Sequence, residues 1–216
     1  MISYPLNVAV DSGLFDRIHV STDDPEILSV ASRYGAFDSF PRPSSLSGDH
    51  APLMPVFKWI LEEYRKRGEN FDAVALLMAT SVLLKAEDLA KAIDAYSRNH
   101  GTKTILSIAP YPAPVEWAFT KGDDNSLTAR EIDAMAMRSQ DLPESWYDAG
   151  MFCIMNAGRI LSSSGAGIDV NYVGIPIEKW RAIDIEEEED LVLAEAMVTA
   201  EKRRSAAAQG ASRLQG

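Results

Sequence analysis

The apolar positions along the chain change their period repeatedly, and the changes mark out alternating helices and strands. Ile2 to Val10 carries a helical pattern that ends at Gly13, a plausible C-cap. Arg17–Ser21 (RIHVS) is a short β-type run. Asp24 followed by Pro25 joins an N-cap to proline at the first helical position, and Ile27, Leu28, Val30 and Ala31 give that helix an apolar face as far as Gly35. A Pro- and Ser-rich loop, Pro41–Pro52, precedes a helix over Val56–Arg67, with Val56, Ile60 and Leu61 or Tyr64 inward and Glu63, Lys66 and Arg67 outward. Ala73–Ala79 (AVALLMA) is apolar throughout, as a strand covered on both faces would be, and is expected at the centre of a parallel sheet. Glu87–Asn99 reads as a helix and Thr104–Ala109 as a second buried strand. Pro110–Asp148 is irregular and reads as an insertion over one end of the sheet. Met151–Met155 is apolar again, Ile175–Ile185 supplies at least one further strand, and Glu186–Lys202 is a helix.

Strands alternating with helices predict an α/β fold: three layers, a mostly parallel sheet, helices on both faces. One domain is expected over residues 1–202, with 203–216 a disordered tail of small and polar residues. Folds of this class open with a strand whose following loop cradles phosphates. Here the first element is a helix, and the pattern reads as though that strand and loop were missing.

The chain's 216 residues, 46% hydrophobic and 25% charged, suit a globular domain with one good core. No apolar run approaches the roughly 18 residues of a spanning helix, so no membrane partner is expected. The single cysteine, Cys153, cannot form an internal disulfide and fits a reducing, cytoplasmic setting. A net charge of −11 argues against nucleic acid as a partner.

Ligands in open α/β sheets bind beyond the carboxyl ends of the strands. That rule selects Ser21–Asp24, Thr80–Ser81 and Asp184–Glu186. Asp23 and Asp24 are also natural helix caps. Asp184 and Glu186, two apart in an extended segment, present both carboxylates to one side, which suits Mg²⁺ completed by waters and phosphates. Glu187 and Glu188 read as first-turn acids favoured by the helix dipole. Arg42, between two prolines, is either a surface arginine or a held donor to a base or phosphate. Arg138-Ser139-Gln140-Asp141 suits a hydroxyl- and carboxylate-bearing ligand, or caps a loop. His19 reads as a core or edge histidine, and His50 and His100 have no metal-ligand spacing.

Several segments resemble the CMP-sugar synthetases that activate nine-carbon acidic sugars. They are SGLFDRIHVSTDD (Ser12–Asp24), RPSSLSGDHAP (Arg42–Pro52), LLMATSVLLKAEDL (Leu76–Leu89), RSQDLPESWYDAG (Arg138–Gly150) and AIDIEEEEDLVLAE (Ala182–Glu195). The fourth resembles the pseudaminate branch. The matches run in the family's order over about residues 1–197. Glu186 stands where the family has a second aspartate, Val82 where its loop has proline, and Tyr147 where it has histidine. The resemblance implies a nucleotide-diphospho-sugar transferase-like, Rossmann-like fold. It also implies a cytidylyltransferase joining CTP to a nonulosonic acid, with Mg²⁺ as cofactor, for surface-glycan or flagellin glycosylation. By the same resemblance Asp184 and Glu186 hold the metal and are catalytic. Arg42, Ser21 and Ala51 border the nucleotide. Thr80, Arg138, Gln140 and Asp148 face the sugar, and residues 110–148 form a homodimer contact. The chain has no counterpart of the family's opening phosphate loop, so weak CTP binding by these residues alone is expected. The alternative is a truncated, non-catalytic homologue that binds sugar or forms dimers.

Overall fold

In the computed structural model, residues 1–36, 39–48, 51–163 and 171–213 are described, with side chains as far as Arg204. Six α-helices among them are α1 (Ser3–Ser12), α2 (Pro25–Arg33), α3 (Leu53–Lys66), α4 (Ala86–Arg98), α5 (Ala157–Ser162) and α6 (Glu188–Arg213). The strands are β1 (Ala73–Leu77), β2 (Thr104–Pro110), β3 (Phe119–Lys121), β4 (Leu127–Ala129), β5 (Trp146–Asn156) and β6 (Tyr172–Pro176). Four of them form one sheet in the order β1-β5-β2-β6. β1, β2 and β6 run the same way and β5 runs against them, so the sheet is mixed and its one parallel pairing is β2 with β6.

Helices cover both faces, as the pattern predicts. On one face Leu89, Ala92 and Ala95 of α4 pack with Ile105, Phe152, Ile154 and Ile175, joined by Ala73, Ala75 and Leu77. On the other, Phe57 and Leu61 of α3 and Ala157 and Ile160 of α5 pack with Val74, Leu76 and Met155. Alternate residues of β1 thus enter different layers, which explains its unbroken apolarity. Among the described residues it is nonetheless an edge strand, paired with β5 alone. Its expected central place is corrected: the pattern reports two covered faces, not the number of neighbours.

Asp24 caps α2, its Oδ1 accepting from the backbone N–H of Glu26 at 2.7 Å and of Ile27 at 3.4 Å, with Pro25 opening the helix. Gly13, at φ 62°, closes α1. The β-type run at Arg17–Ser21 joins no sheet ladder. Ile18 and Val20 instead pack with Leu6 of α1 and Ala31 of α2. The irregular stretch after β2 holds the small β3–β4 hairpin. The strand expected over Ile175–Ile185 begins earlier, at Tyr172, and ends at Pro176. The tail expected from residue 203 is helical to Arg213, where α6 continues through a run rich in alanine, the strongest helix former; the last three residues lie outside the described set, as do Asp49 and His50 of the Pro41–Pro52 loop. No helix among the described residues is long and apolar enough to cross a membrane.

Candidate functional site

β5 enters the sheet at the end where β1, β2 and β6 finish, and its ladder with β2 breaks there. Leu106 faces Cys153 and Ile108 faces Asp148, so two steps along β2 match five along β5. The surplus residues form a bulge. Within it Gly150 has φ 64°, a left-handed conformation that glycine adopts without strain. The fully buried Ser107 replaces the lost ladder bonds, its Oγ accepting from the N–H of Met151 at 3.0 Å and of Phe152 at 3.2 Å. Asp148 Oδ1 accepts from the Gly150 N–H at 3.0 Å. The carboxylate of Asp184 rests against Gly150, where a Cβ would lie 3.3 Å from its Oδ2. The turn after β1, which carries Thr80, docks beside them: the Met78 N–H and the Ser81 hydroxyl both donate to the Met151 carbonyl, at 3.1 and 3.0 Å. Thr80, Asp148 and Asp184 therefore belong to one frame, beyond the carboxyl ends of β1 and β2.

Asp184 and Glu186 are exposed and lie in the irregular segment between β6 and α6. Asp190 Oδ2 accepts from the N–H groups of Glu186, at 3.1 Å, and Glu187, at 3.0 Å, so Asp190 caps the acidic helix start. Asp184 also lines a groove of about 250 Å³ with Trp180, Ile183, Asp190, Leu193 and Met197. A hollow of about 270 Å³ bordered by Asp72 and Asn156 lies at the opposite end of β1 and β5. No set of three or more His, Cys, Asp or Glu side chains among the described residues is arranged to hold a metal. Asp184 lies close against Gly150, and the carboxylates of Asp184 and Glu186 are hard oxygen donors of the kind Mg²⁺ takes, with waters and phosphates left to complete a shell.

Just before this segment Arg181, 3% exposed, forms a double ion pair with Asp88 of α4: Nη1 to Oδ2 at 2.6 Å and Nη2 to Oδ1 at 2.9 Å. Burial disfavours the Arg181 cation, yet the hydrogen bonds and charges of Asp88 and Glu178 outweigh it and raise its pKa above the ordinary value.

A second polar group forms where residues 17–22 run beside residues 39–42. The Val20 N–H donates to Ser39 Oγ at 2.9 Å, and the Arg42 N–H to the Thr22 carbonyl at 2.8 Å. The rings of His19 and Phe40 meet at 4.3 Å. Ser21 and Arg42 each lie two residues further along these segments. Ser21 Oγ and Arg42 Nε are both buried without a hydrogen-bond partner. Each such group costs about 1–3 kcal/mol, so a polar ligand satisfying both is worth several times a surface contact. His19 has a pKa lowered to about 4, first by burial and then by the Arg67 charge. It is neutral near pH 7, with Nδ1 3.2 Å from the Tyr64 hydroxyl.

Ala51 is half-buried after that loop, its N–H donating to the Gly48 carbonyl at 2.9 Å. Arg138 and Gln140 sit on an exposed turn before β5, where Arg138 pairs with Asp141 through Nε at 2.8 Å and Nη2 at 3.1 Å. Sequence reasoning passed over Arg181, Asp88 and Ser107. Ser107 carried a readable signal, a lone hydroxyl inside the apolar run ILSIA; Arg181 and Asp88 lie in mixed polar stretches with no mark of burial.

The model of a family described as cytidylyltransferase matches residues 1–143. The chain is 33% identical over 152 residues to the pseudaminic acid cytidylyltransferase of Campylobacter jejuni, a match covering 70% of this chain and 65% of that one. It is 26% identical over 132 residues to the CMP-N,N'-diacetyllegionaminic acid synthase of Legionella pneumophila, covering 61% and 56%. The chain thus spans about 65% of the length of the first curated relatives it matches. Among solved structures, CMP:2-keto-3-deoxy-manno-octonic acid synthetase superposes with a TM-score of 0.66 at 10% identity, over 93% of this chain and 88% of that one, a likeness of fold.

Proposed function

The chain belongs to the cytidylyltransferase family, and from that premise we propose that it transfers the cytidylyl group of CTP to a nonulosonic acid. The sugar's anomeric hydroxyl oxygen bonds to the α-phosphorus and loses its proton. The α–β anhydride bond breaks, and pyrophosphate leaves with that electron pair. The products are a CMP-sugar and pyrophosphate. The relatives named for pseudaminic and diacetyllegionaminic acids favour those sugars as the substrate class.

The observation that carries this reading is that Ser21 Oγ and Arg42 Nε, on the adjoining segments 17–22 and 39–42, are each buried without a hydrogen-bond partner. A hydroxyl that donates or accepts and a guanidinium that only donates suit the O2 and N3 acceptors of cytosine or a phosphate oxygen. Ala51, small and half-buried, borders the same loop. Asp184 and Glu186 would hold Mg²⁺, which when bound neutralises charge developing on the phosphates. Asp148, tied to the bulge through Gly150, and Thr80, on the turn docked to Met151, are the sugar's candidate contacts. Arg138 is a candidate for the sugar carboxylate, since its exposed pair with Asp141 is worth only about 0–1 kcal/mol and is readily exchanged. Gln140 adds an amide on the same turn.

Self-association through residues 110–148 is part of the proposal. Tyr111, Val115, Phe119, Leu127, Ile132 and Trp146 are all exposed there, an apolar surface of the kind that marks interfaces.

Pyrophosphate release with CTP and a panel of pseudaminic, legionaminic and N-acetylneuraminic acids tests the reading. Release with CTP but not UTP or ATP is expected. Sugar binding without release in any combination would favour a non-catalytic role instead.

A further inference from the structure

The Arg181–Asp88 pair is buried and is not among the groups assigned above to CTP, the sugar or the metal. We infer that Arg181 is a positioning residue whose guanidinium sets the distance between the Thr80–Ser81 turn and the Asp184–Glu186 segment, and so seats Asp184 over Gly150. The inference rests on the nucleotidyl-transfer reading and its use of Asp184.

All five N–H donors of the guanidinium are engaged. Nε donates to Glu178 at 2.6 Å and Nη2 to Glu178 and Asp88. Nη1 donates to Asp88 at 2.6 Å and to the Leu83 carbonyl at 3.1 Å. Leu83 lies in the β1–α4 turn, and Asp88 closes that turn by accepting from the Lys85 N–H at 3.0 Å. The other end of the turn hangs on the Met151 carbonyl through Met78 and Ser81. Met151 follows Gly150, against which Asp184 rests. The contacts therefore close a ring from Asp184 through Gly150, Met151, the turn, Leu83 and Arg181 back to Asp184. Two residues separate Arg181 from Asp184, and the Ile183 N–H to Arg181 carbonyl bond at 3.0 Å keeps that stretch compact.

A buried ion pair is weak evidence for a stabilising role, since apolar packing often serves as well. What a planar five-donor fork supplies, and a lysine cannot, is simultaneous fixed contact with three segments. Groups that orient the residues holding a metal typically change its affinity about 10–100-fold when altered.

Arg181→Lys, made in the full chain, tests the role against Ile160→Ala, a core change among Phe57 and Leu61 on the sheet's other face. Mn²⁺ binding in the presence of CTP is read by electron paramagnetic resonance without turnover. Amide hydrogen exchange is read over residues 80–85 and 182–187. Arg181→Lys is expected to weaken Mn²⁺ binding at least 10-fold and to speed exchange in both segments, while Ile160→Ala does neither. Glu178→Gln, at a half-exposed partner, is expected to shift both readouts the same way by less. Unchanged exchange in both segments in Arg181→Lys overturns the inference, as does equal weakening by Ile160→Ala. If Asp184→Asn binds Mn²⁺ as well as the unmodified chain, the metal assignment fails, and the exchange data alone still decide the positioning role.

Discussion

Replacing Gly150 by alanine separates two consequences of one added methyl group. Gly150 has φ 64°, and a Cβ there would sit 3.3 Å from Asp184 Oδ2 and 3.7 Å from its Cγ. The left-handed backbone costs a non-glycine residue roughly 1–2 kcal/mol. In a chain of this size each kcal/mol moves the melting temperature by about 2–4 °C, giving a loss of about 2–8 °C. The contact itself adds little to that cost, because the exposed Asp184 carboxylate can swing by a few tenths of an ångström. That swing is the functional consequence, since it moves a proposed Mg²⁺ oxygen. Gly13→Ala supplies the control: Gly13 has φ 62°, and nothing lies within 4 Å of its missing Cβ. Both variants should lose similar stability in thermal unfolding. Only Gly150→Ala should raise the Mg²⁺ concentration needed for half-maximal pyrophosphate release, by about 10-fold or more. Equal Mg²⁺ dependence in the two variants would refute the argument that Gly150 exists to seat Asp184.

Asp184→Asn should abolish transfer, whereas Glu188→Gln, an exposed first-turn change, should cost no more than about 1 kcal/mol of helix-dipole stabilisation; equal effects on pyrophosphate release would remove the metal-holding role of Asp184. The folded His19 pKa of about 4 lies below its unfolded value near 6.5, so the unfolded chain takes up this proton first. Stability should therefore fall as pH drops from about 6.5 to 4, by on the order of 3 kcal/mol at most, and His19→Gln should flatten that slope in urea titrations. Ile132, 75% exposed on the insertion, should be replaceable by glutamate without loss of stability, while light scattering shifts from a dimer mass to one near 23.7 kDa; a monomer before the change would remove the dimer proposal.

Local chemistry was readable wherever one segment decides it. The Asp24–Pro25 helix start and the Gly13 stop follow from capping and short-range sterics and stand in the structure, and β1, though only partly buried, packs against both layers as its unbroken apolarity implies. What the sequence hid depends on pairing between distant segments. The direction of β5 is set by where its partners lie, and an apolar run reads the same in either direction. The segment 17–22 has strand-like residues but draws its hydrogen bonds from residues 39–42, which its own pattern cannot announce. In the candidate site, Asp184 was legible as a carboxylate near a strand end, and Asp148 only through the family resemblance. Their meeting at Gly150 was not, because it depends on a bulge opposite Ser107.

That bulge depends on Ser107 more than the size of its side chain suggests. Its hydroxyl is fully buried and accepts two backbone N–H groups, those of Met151 and Phe152, that the broken ladder leaves without a carbonyl. Both residues are themselves buried, so no solvent reaches these amides easily. Ser107→Ala removes one oxygen and creates almost no cavity, yet leaves two donors unpaired. At about 1–3 kcal/mol per buried unpaired group, the loss should be on the order of 2–6 kcal/mol. Ser162→Ala, which removes a surface hydroxyl bonded at 3.1 Å to the Arg159 carbonyl, should stay within about 0.5 kcal/mol. Urea unfolding of the two variants gives the comparison. A loss below about 1 kcal/mol for Ser107→Ala would mean that the amides find other acceptors. The bulge would then be held by the Gly150 backbone and the Asp148 side chain alone, and Asp184 should keep its seat in the variant.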